Sequence, residues 1–200
     1  MRARFLSGLL ATLDRVTGSP LLVAVGNAGV LVVTTTMGWM VANVATPHAD
    51  TVFGIRDGVT APGFLYDVGV ILGANGTVLA LAFLGAVTCG LLGLLVVMWN
   101  GFNLGYGFAG VVKVAPSDAL ALLRYLPLEF AAIVLASSAG MLVARSCGEA
   151  LFEIRGWRSR SHRLAVAALF FAIAALVLIV LAAVMEAKVR GELLACATPC

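Results

Sequence analysis

The sequence predicts an all-α protein: a polytopic integral membrane bundle of about five transmembrane helices, one of them short or re-entrant, preceded by an N-terminal amphipathic helix. The chain is 62% hydrophobic and only 12% charged, whereas a soluble domain is typically about 25% charged. Its apolar runs are continuous and reach the length of about 20 residues that crosses a hydrocarbon core. Because lipid offers no partner for backbone N–H and C=O groups, each run is expected to be helical.

The N-terminal residues 1–19 are predicted to form an amphipathic helix on the cytoplasmic surface of the membrane. Their apolar side chains recur at helical spacing on one face, and arginines supply a positive charge. A frayed basic terminus is the alternative interpretation. Pro20 then marks the start of the first transmembrane helix, which is predicted over residues 20–45.

Residues 46–67 are predicted to form an acidic loop outside the cell. Three aspartates oppose one arginine there, which gives a formal charge of −2. His48 and Asp50 lie close together in this loop, but a zinc site needs three or four ligands. The sequence therefore predicts a solvated loop, with no metal and no cofactor.

The central part of the chain is predicted to contain one long crossing and one short crossing. Residues 68–99 form a run of 32 residues, longer than a straight span requires. A break is predicted near Asn75, which would cap the helix that follows. The next segment, Asn100 to Ala115, would be only about 24 Å long at 1.5 Å per residue. It is therefore predicted to be a short tilted span or a re-entrant helix.

Loop charge predicts the orientation of the spans. Residues 126–144 and 164–185 are the remaining apolar runs, and the loop between them, residues 145–163, carries five arginines against two glutamates. Short loops rich in Lys and Arg stay in the cytoplasm. This loop and the N-terminus are therefore predicted to lie inside the cell and the C-terminus outside.

No separate catalytic domain is predicted beside the single transmembrane domain, which covers residues 20–186. Residues 187–200 would form a short external tail. Cys196 and Cys200 lie close together in that tail, where an oxidising compartment would permit a disulfide. The tight spacing of the two cysteines leaves the reduced pair as an equal alternative.

Glu129 is the most informative single residue, because an acidic group within a membrane segment is costly, by about 2.5–3.5 kcal/mol at the helix centre. One interpretation is an interfacial carboxylate paired with Arg124. The other is a buried polar anchor or a site for a cation or proton. The helix N-terminal dipole favours an anion in either case.

Small and polar residues form a second candidate group. Gly101 and Gly105 have the spacing that allows membrane helices to approach closely, and Asn100 and Asn103 can form hydrogen bonds between helices. A structural role is the first interpretation of this group. A permeation path is the alternative, because broken helices at membrane depth often line binding sites.

No catalytic motif is visible in the sequence, which contains neither HExxH, nor G-x-S-x-G, nor a P-loop. The protein is therefore predicted not to be an enzyme. Its formal net charge of +3 is small and serves as a topology signal, so no nucleic-acid partner is predicted.

The chain carries, in this order, Asn75, Asn100, Gly101, Leu104, Gly105, Glu129, Gly140, Met141 and Leu142. This order resembles the stage II sporulation protein M family of multi-spanning bacterial membrane proteins. The resemblance covers roughly residues 64–146. One departure lies ahead of the glutamate, where the family often has Pro-His-Gly and this chain has Arg124, Tyr125 and Leu126.

The resemblance implies a non-enzymatic scaffold of the bacterial inner membrane that anchors partner proteins. Members of the family act with peptidoglycan-remodelling partners in spore formers, and relatives occur in other bacteria. The expected partners are the lipid bilayer and other membrane or envelope proteins, with a homo-oligomer left open. The alternative function is a component of a transporter or channel that uses Glu129 and Asn100.

Overall fold

The computed structural model of the chain describes residues 19–44, 64–114, 116–151 and 157–197. Every regular element in these ranges is helical, which confirms the all-α prediction. Five helices are long and apolar enough to cross a membrane, so the predicted number of spans is confirmed as well. The predicted amphipathic helix at the N-terminus and most of the predicted acidic loop lie outside the described residues.

Six α-helices follow one another along the described chain and are numbered here in order. The second of them continues directly into a short 3-10 turn. The helices are α1 (Pro20–Val44), α2 (Phe64–Phe83), α3 (Leu91–Val114), α4 (Pro116–Leu122), α5 (Leu126–Leu151) and α6 (Trp157–Ala197), and the 3-10 turn is Leu84–Ala86.

The chain turns between α2 and α3 at residues 84–90, and the predicted break near Asn75 is wrong. α2 continues through Asn75, whereas Cys89 and Gly90 have positive φ angles of 53° and 91°. The Thr88 hydroxyl accepts a hydrogen bond of 2.9 Å from an N–H group in the first turn of α3. It thereby satisfies one of the donors that a helix N-terminus leaves free.

The third helix is long enough to cross the membrane completely. α3 contains 24 residues, so its length is about 36 Å, against a hydrocarbon core of about 30 Å. The prediction of a short or re-entrant segment at residues 101–115 is therefore wrong. The helix that contains this segment begins ten residues earlier, within the apolar run of residues 68–99 that the sequence assigns to the preceding span.

α1 and α3 pack against each other through backbone contacts. A Cβ atom added to Gly38, Gly101 or Gly105 would come within 3.0 Å of backbone atoms of the facing helix. Small residues permit such a close approach between membrane helices. Near the end of the pair, the Lys113 Nζ atom donates a hydrogen bond of 2.7 Å to the carbonyl oxygen of Ala42.

α5 is the central helix of the bundle. Its most apolar window is 56% buried, whereas the corresponding windows of the other four spans are 22–28% buried. Alanines and Gly140 form much of its buried face, which lets neighbouring helices lie close to it. The outer helices leave many large apolar side chains exposed, as is expected of a surface whose solvent is lipid.

α6 is much longer than a bilayer requires. Its 41 residues extend for about 60 Å, twice the thickness of the hydrocarbon core. The charged connection predicted over residues 145–163 is correspondingly shorter, since α5 continues to Leu151 and α6 begins at Trp157. The segment predicted as a tail from residue 187 continues as helix to residue 197.

Side-chain contacts identify which helix ends lie together. The Asn27 Nδ2 atom donates a hydrogen bond of 2.9 Å to Ser138, and the hydroxyl oxygens of Ser146 and Ser161 are 2.6 Å apart. The start of α1 and the connection between α5 and α6 therefore share one end of the bundle. At the other end, Ile71 near the start of α2 packs against the later turns of α6.

Candidate functional site

A polar cavity lies between α2, α3, α5 and α6, within the membrane-spanning part of the bundle. Its volume is about 220 Å³. The sequence predicts six important positions, four of them polar and two of them glycine. The four polar residues line this cavity. The lining consists of polar Asn75, Asn100, Asn103 and Glu129 and apolar Val78, Leu104, Leu126, Phe130, Ile133 and Ile179.

Glu129 lies in the first turn of α5, where the positive end of the helix dipole favours a carboxylate. Its Oε1 atom accepts a short hydrogen bond of 2.5 Å from the Asn75 amide nitrogen on α2. Asn75 therefore acts across helices and does not cap one. The position of Asn75 in the middle of α2 brings its amide to the level of the first turn of α5.

A second carboxyl group stands beside Glu129. Glu186 of α6 is buried and lies within hydrogen-bonding range of Glu129. Glu186 also accepts a hydrogen bond of 2.5 Å from Arg190, one turn further along the same helix. The two carboxyl groups thus share the neighbourhood of one guanidinium group. The sequence prediction missed Glu186, although its position at the end of the last apolar run was a signal.

Arg124 does not pair with Glu129, so the interpretation of Glu129 as an interfacial ion pair is wrong. The Arg124 Nη1 atom donates instead to Glu192, at 2.8 Å, and both side chains are about half exposed. Such exposed pairs contribute roughly 0–1 kcal/mol. Arg124 lies in the turn between α4 and α5, where its side chain reaches the last turns of α6.

The two asparagines of α3 line the cavity without bonding to another helix. The Asn100 amide nitrogen donates to the Val96 carbonyl at 2.8 Å, and that of Asn103 donates to the Trp99 carbonyl at 2.9 Å. The hydrogen bonds between helices that the sequence suggested for them are absent within the described residues.

Gly101 and Gly105 face away from the cavity, toward α1, in the contact described above. α3 therefore presents two different surfaces along the same turns. One surface is smooth and packs against α1, and the other carries the amides of Asn100 and Asn103. This division explains why glycines and asparagines alternate in this part of the sequence.

Asn27 is a buried polar residue that the sequence prediction missed. It is only 3% exposed, and its amide donates to the Ser138 hydroxyl of α5. Ser138 in turn donates to the Val134 carbonyl at 2.6 Å. The signal was a single amide within the first apolar run. This contact lies nearer the opposite end of the bundle from Glu129.

Tyr125 lies in the turn that precedes α5 and is 6% exposed. Burial, reinforced by the nearby charges of Glu186 and Glu129, raises the pKa of its hydroxyl well above the usual value. The phenol therefore stays neutral and leaves the charge of its surroundings unchanged. Among the described residues, the other titratable groups close to Glu129 are Glu186 and Arg190.

The polar groups that line the cavity are one carboxyl group and three side-chain amides. Among the described residues, no three His, Cys, Asp or Glu side chains are grouped as metal ligands. Cys89 and Cys147 are free thiols. The predicted bond between Cys196 and Cys200 lies outside what the structure describes, because residue 200 and the side chain of residue 196 are not among the described parts.

Comparison with known proteins identifies one family. The family model for stage II sporulation protein M matches residues 27–189, from the first turns of α1 to near the end of α6. Every residue that lines the cavity falls within this match. No curated protein and no solved structure matches the chain.

Proposed function

The chain belongs to the stage II sporulation protein M family, and on this premise we propose that it is a non-enzymatic, multi-pass membrane scaffold that anchors a partner membrane protein. The proposed docking surface is the outer face of α2. We define this outer face as Gly69, Gly73, Gly76 and Ala80, which fall within about 60° of one another around the helix axis.

The observation that supports this proposal is the unfilled space over that face. A Cβ atom added to Gly69, Gly73 or Gly76 would meet no atom within 4 Å. Glycine in a helix costs roughly 1 kcal/mol relative to alanine. The glycines between α1 and α3 offset this cost by close packing, whereas a Cβ atom on the glycines of the outer face would contact no other part of the described residues.

The spacing of the outer face suits another transmembrane helix. Small residues four apart let two helix backbones approach, and van der Waals packing then drives association in lipid. Ile71 and Ala82 lie on the opposite side of α2 and pack into the bundle. α2 can therefore hold a partner helix without giving up its own contacts.

The proposed location is the bacterial cytoplasmic membrane, with the N-terminus inside and the C-terminus outside. Charge supports this orientation, because Arg145, Arg160 and Arg163 lie at the end of the bundle where α1 starts. Positively charged residues are retained on the cytoplasmic side. The end that carries α4 and the last turns of α6 would then face outward.

Site-specific photo-crosslinking in the producing bacterium tests the proposal. A photoreactive residue replaces Val70, which is exposed and flanks the outer face of α2. We expect an adduct with another membrane protein that disappears when Gly73→Ile fills the face. Gly26→Ile is the matched control, because Gly26 of α1 is also an open glycine. This control should leave the adduct intact.

Two results would contradict the proposal. An adduct that persists in Gly73→Ile would show that the partner does not use the outer face. An adduct between two copies of the chain would replace partner anchoring by self-association.

A further inference from the structure

We propose that Glu129 and Glu186 form a pH-sensitive link between α5 and α6, in which one shared proton joins the two carboxyl groups. The link is closed while the pair holds the proton and opens when a rise in pH removes it. It is separate from the outer face of α2, because Asn75, which bonds Glu129, lies about 130° around the helix from the middle of that face.

The contact between the two carboxyl groups requires a proton. Glu186 lies within hydrogen-bonding range of Glu129, and an ionised carboxylate can only accept hydrogen bonds. One group of the pair is therefore protonated when the bond exists. The other donors bond each group from its own helix neighbourhood, since the Asn75 amide donates to Glu129 and the Arg190 guanidinium donates to Glu186. The shared proton is what connects α5 to α6 at this level.

The charges of this cluster balance only while the proton is present. Two carboxyl groups with one shared proton carry a single negative charge, which the Arg190 guanidinium compensates. Loss of the proton leaves two carboxylates beside one guanidinium group. Like charges at such short range repel, and they repel more strongly where burial lowers the dielectric constant. Because Glu186 is only 7% exposed, repulsion between α5 and α6 would then replace the bond.

The helices that precede α5 supply no charge that could replace the proton. Among the described residues, the charges that act on Glu129 are those of Glu186 and Arg190. α1 contains no ionisable side chain, and Lys113 of α3 donates to a carbonyl group of α1. Asp67 of α2 lies eight residues before Asn75, about 12 Å away along the helix axis.

The remaining ionisable groups near the start of α5 leave this balance unchanged. Tyr125 stays a neutral phenol, as described above. Arg124 and Glu192 form their own exposed pair, and Lys188 of α6 is exposed. The ionisation of the link therefore depends on its own two carboxyl groups and on Arg190.

The polar cavity gives the shared proton an exchange partner. Glu129 lines this cavity, whose volume is about 220 Å³. One water molecule needs about 10–15 Å³ of such space together with polar neighbours, so the cavity holds several. On opening of the link, the proton passes from the carboxyl pair to a water molecule, and on closing it returns.

The pH dependence of unfolding tests the link. The unfolded chain separates the two glutamates and has released their protons at neutral pH, since an ordinary glutamate titrates at about pH 4.3. The folded chain keeps one proton, so its stability falls as the pH rises. Each pH unit over which only the folded chain holds this proton raises the unfolding equilibrium constant up to tenfold. The constant is measured for the purified full chain in mixed micelles with dodecyl sulfate, from roughly pH 5 to pH 8.

Two variants connect this pH dependence to the pair. Glu129→Gln introduces a neutral amide that can accept from Asn75 and donate to Glu186, so it should fold without needing the proton. The rise in the unfolding constant should be at least about tenfold smaller in Glu129→Gln than in the unmodified chain. Glu192→Gln is the matched control, because Glu192 is an exposed carboxylate paired with Arg124. It should keep the full pH dependence.

Infrared spectroscopy detects the proton directly and does not depend on a variant that folds. The folded, unmodified chain should show the C=O stretch of a protonated carboxylic acid at the lower end of this pH range, and the band should disappear as the pH rises. Glu129→Gln and Glu186→Gln should each lack the band. The Val70 crosslink should persist in Glu129→Gln, which separates this test from that of the proposed function.

Three results would overturn the proposal. The first is the absence of the protonated band from the unmodified chain throughout the pH range. The second is a band that remains in Glu129→Gln or in Glu186→Gln. The third is an equal pH dependence of unfolding in Glu129→Gln and in the unmodified chain.

Discussion

Replacing Gly105 by alanine should separate α1 from α3. A Cβ atom at this position would collide with the Thr35 carbonyl oxygen and would lie 2.7 Å from the Thr35 carbonyl carbon. It would also lie 2.8 Å from the Trp39 nitrogen. All of these are backbone atoms, so no side-chain rotation can relieve the contact, and one whole helix has to move.

The magnitude follows from two opposing effects. Alanine gains up to about 1 kcal/mol over glycine in helix propensity, whereas overpacking a tight contact costs typically 1–3 kcal/mol. The upper end of the overpacking range applies here, because the added Cβ atom meets backbone atoms of the facing helix. Gly26→Ala provides the same propensity gain without a collision, since nothing lies within 4 Å of its Cβ. The two variants should therefore differ by about 3 kcal/mol, or roughly 150-fold in the unfolding equilibrium constant.

Unfolding in mixed micelles with increasing dodecyl sulfate measures this difference. Gly105→Ala should unfold at a clearly lower fraction of dodecyl sulfate than Gly26→Ala, and Gly26→Ala should match or exceed the unmodified chain. Equal midpoints for the two alanine variants would refute the close α1–α3 contact as a determinant of stability.

Three smaller effects are expected in the same assay. Ser137→Ala should stabilise the bundle by about 1 kcal/mol, because the buried Ser137 hydroxyl has no hydrogen-bond partner among the described residues. Ser138→Ala should destabilise it by a similar amount, because the Ser138 hydroxyl bonds Asn27 and Val134. Equal effects of the two substitutions would contradict these hydrogen-bond assignments. A double-mutant cycle between Asn27→Leu and Ser138→Ala should give a coupling of about 0.6–1.7 kcal/mol, and additivity would show that the bond contributes nothing. Cys89→Gly should stabilise the chain by about 1 kcal/mol because φ is 53° there, and an unchanged midpoint would count against that turn.

The number of spans could be predicted from the sequence because hydropathy and loop charge report directly on membrane crossing. Their boundaries could not, because glycine has several uses in a membrane helix. The glycines from Gly69 to Gly93 suggested an early break in a single long span. In the structure some of them lie on an open face, others pack against neighbouring helices, and only Gly90 among them supplies a positive φ.

The polar residues of the cavity could be identified from the sequence, but their partners could not. The cost of an acid in lipid drew attention to Glu129, and the nearest basic residue in sequence, Arg124, seemed a natural partner. The contacts of Glu129 come instead from Asn75, 54 residues earlier, and from Glu186, 57 residues later. Such pairings depend on the rotation of each helix about its axis, which a period of 3.6 residues specifies only when one face is clearly polar.

The length of α6 has a mechanical consequence. Arg160 lies 3.9 Å from Glu149 of α5 near one end of this helix, and Glu192 pairs with Arg124 near the other. The 32 residues between them span about 48 Å as one uninterrupted rod. A tilt of the rod at one membrane surface therefore displaces its far end at the opposite surface. One continuous helix thus joins the two ends of the bundle and passes beside Glu129 on the way.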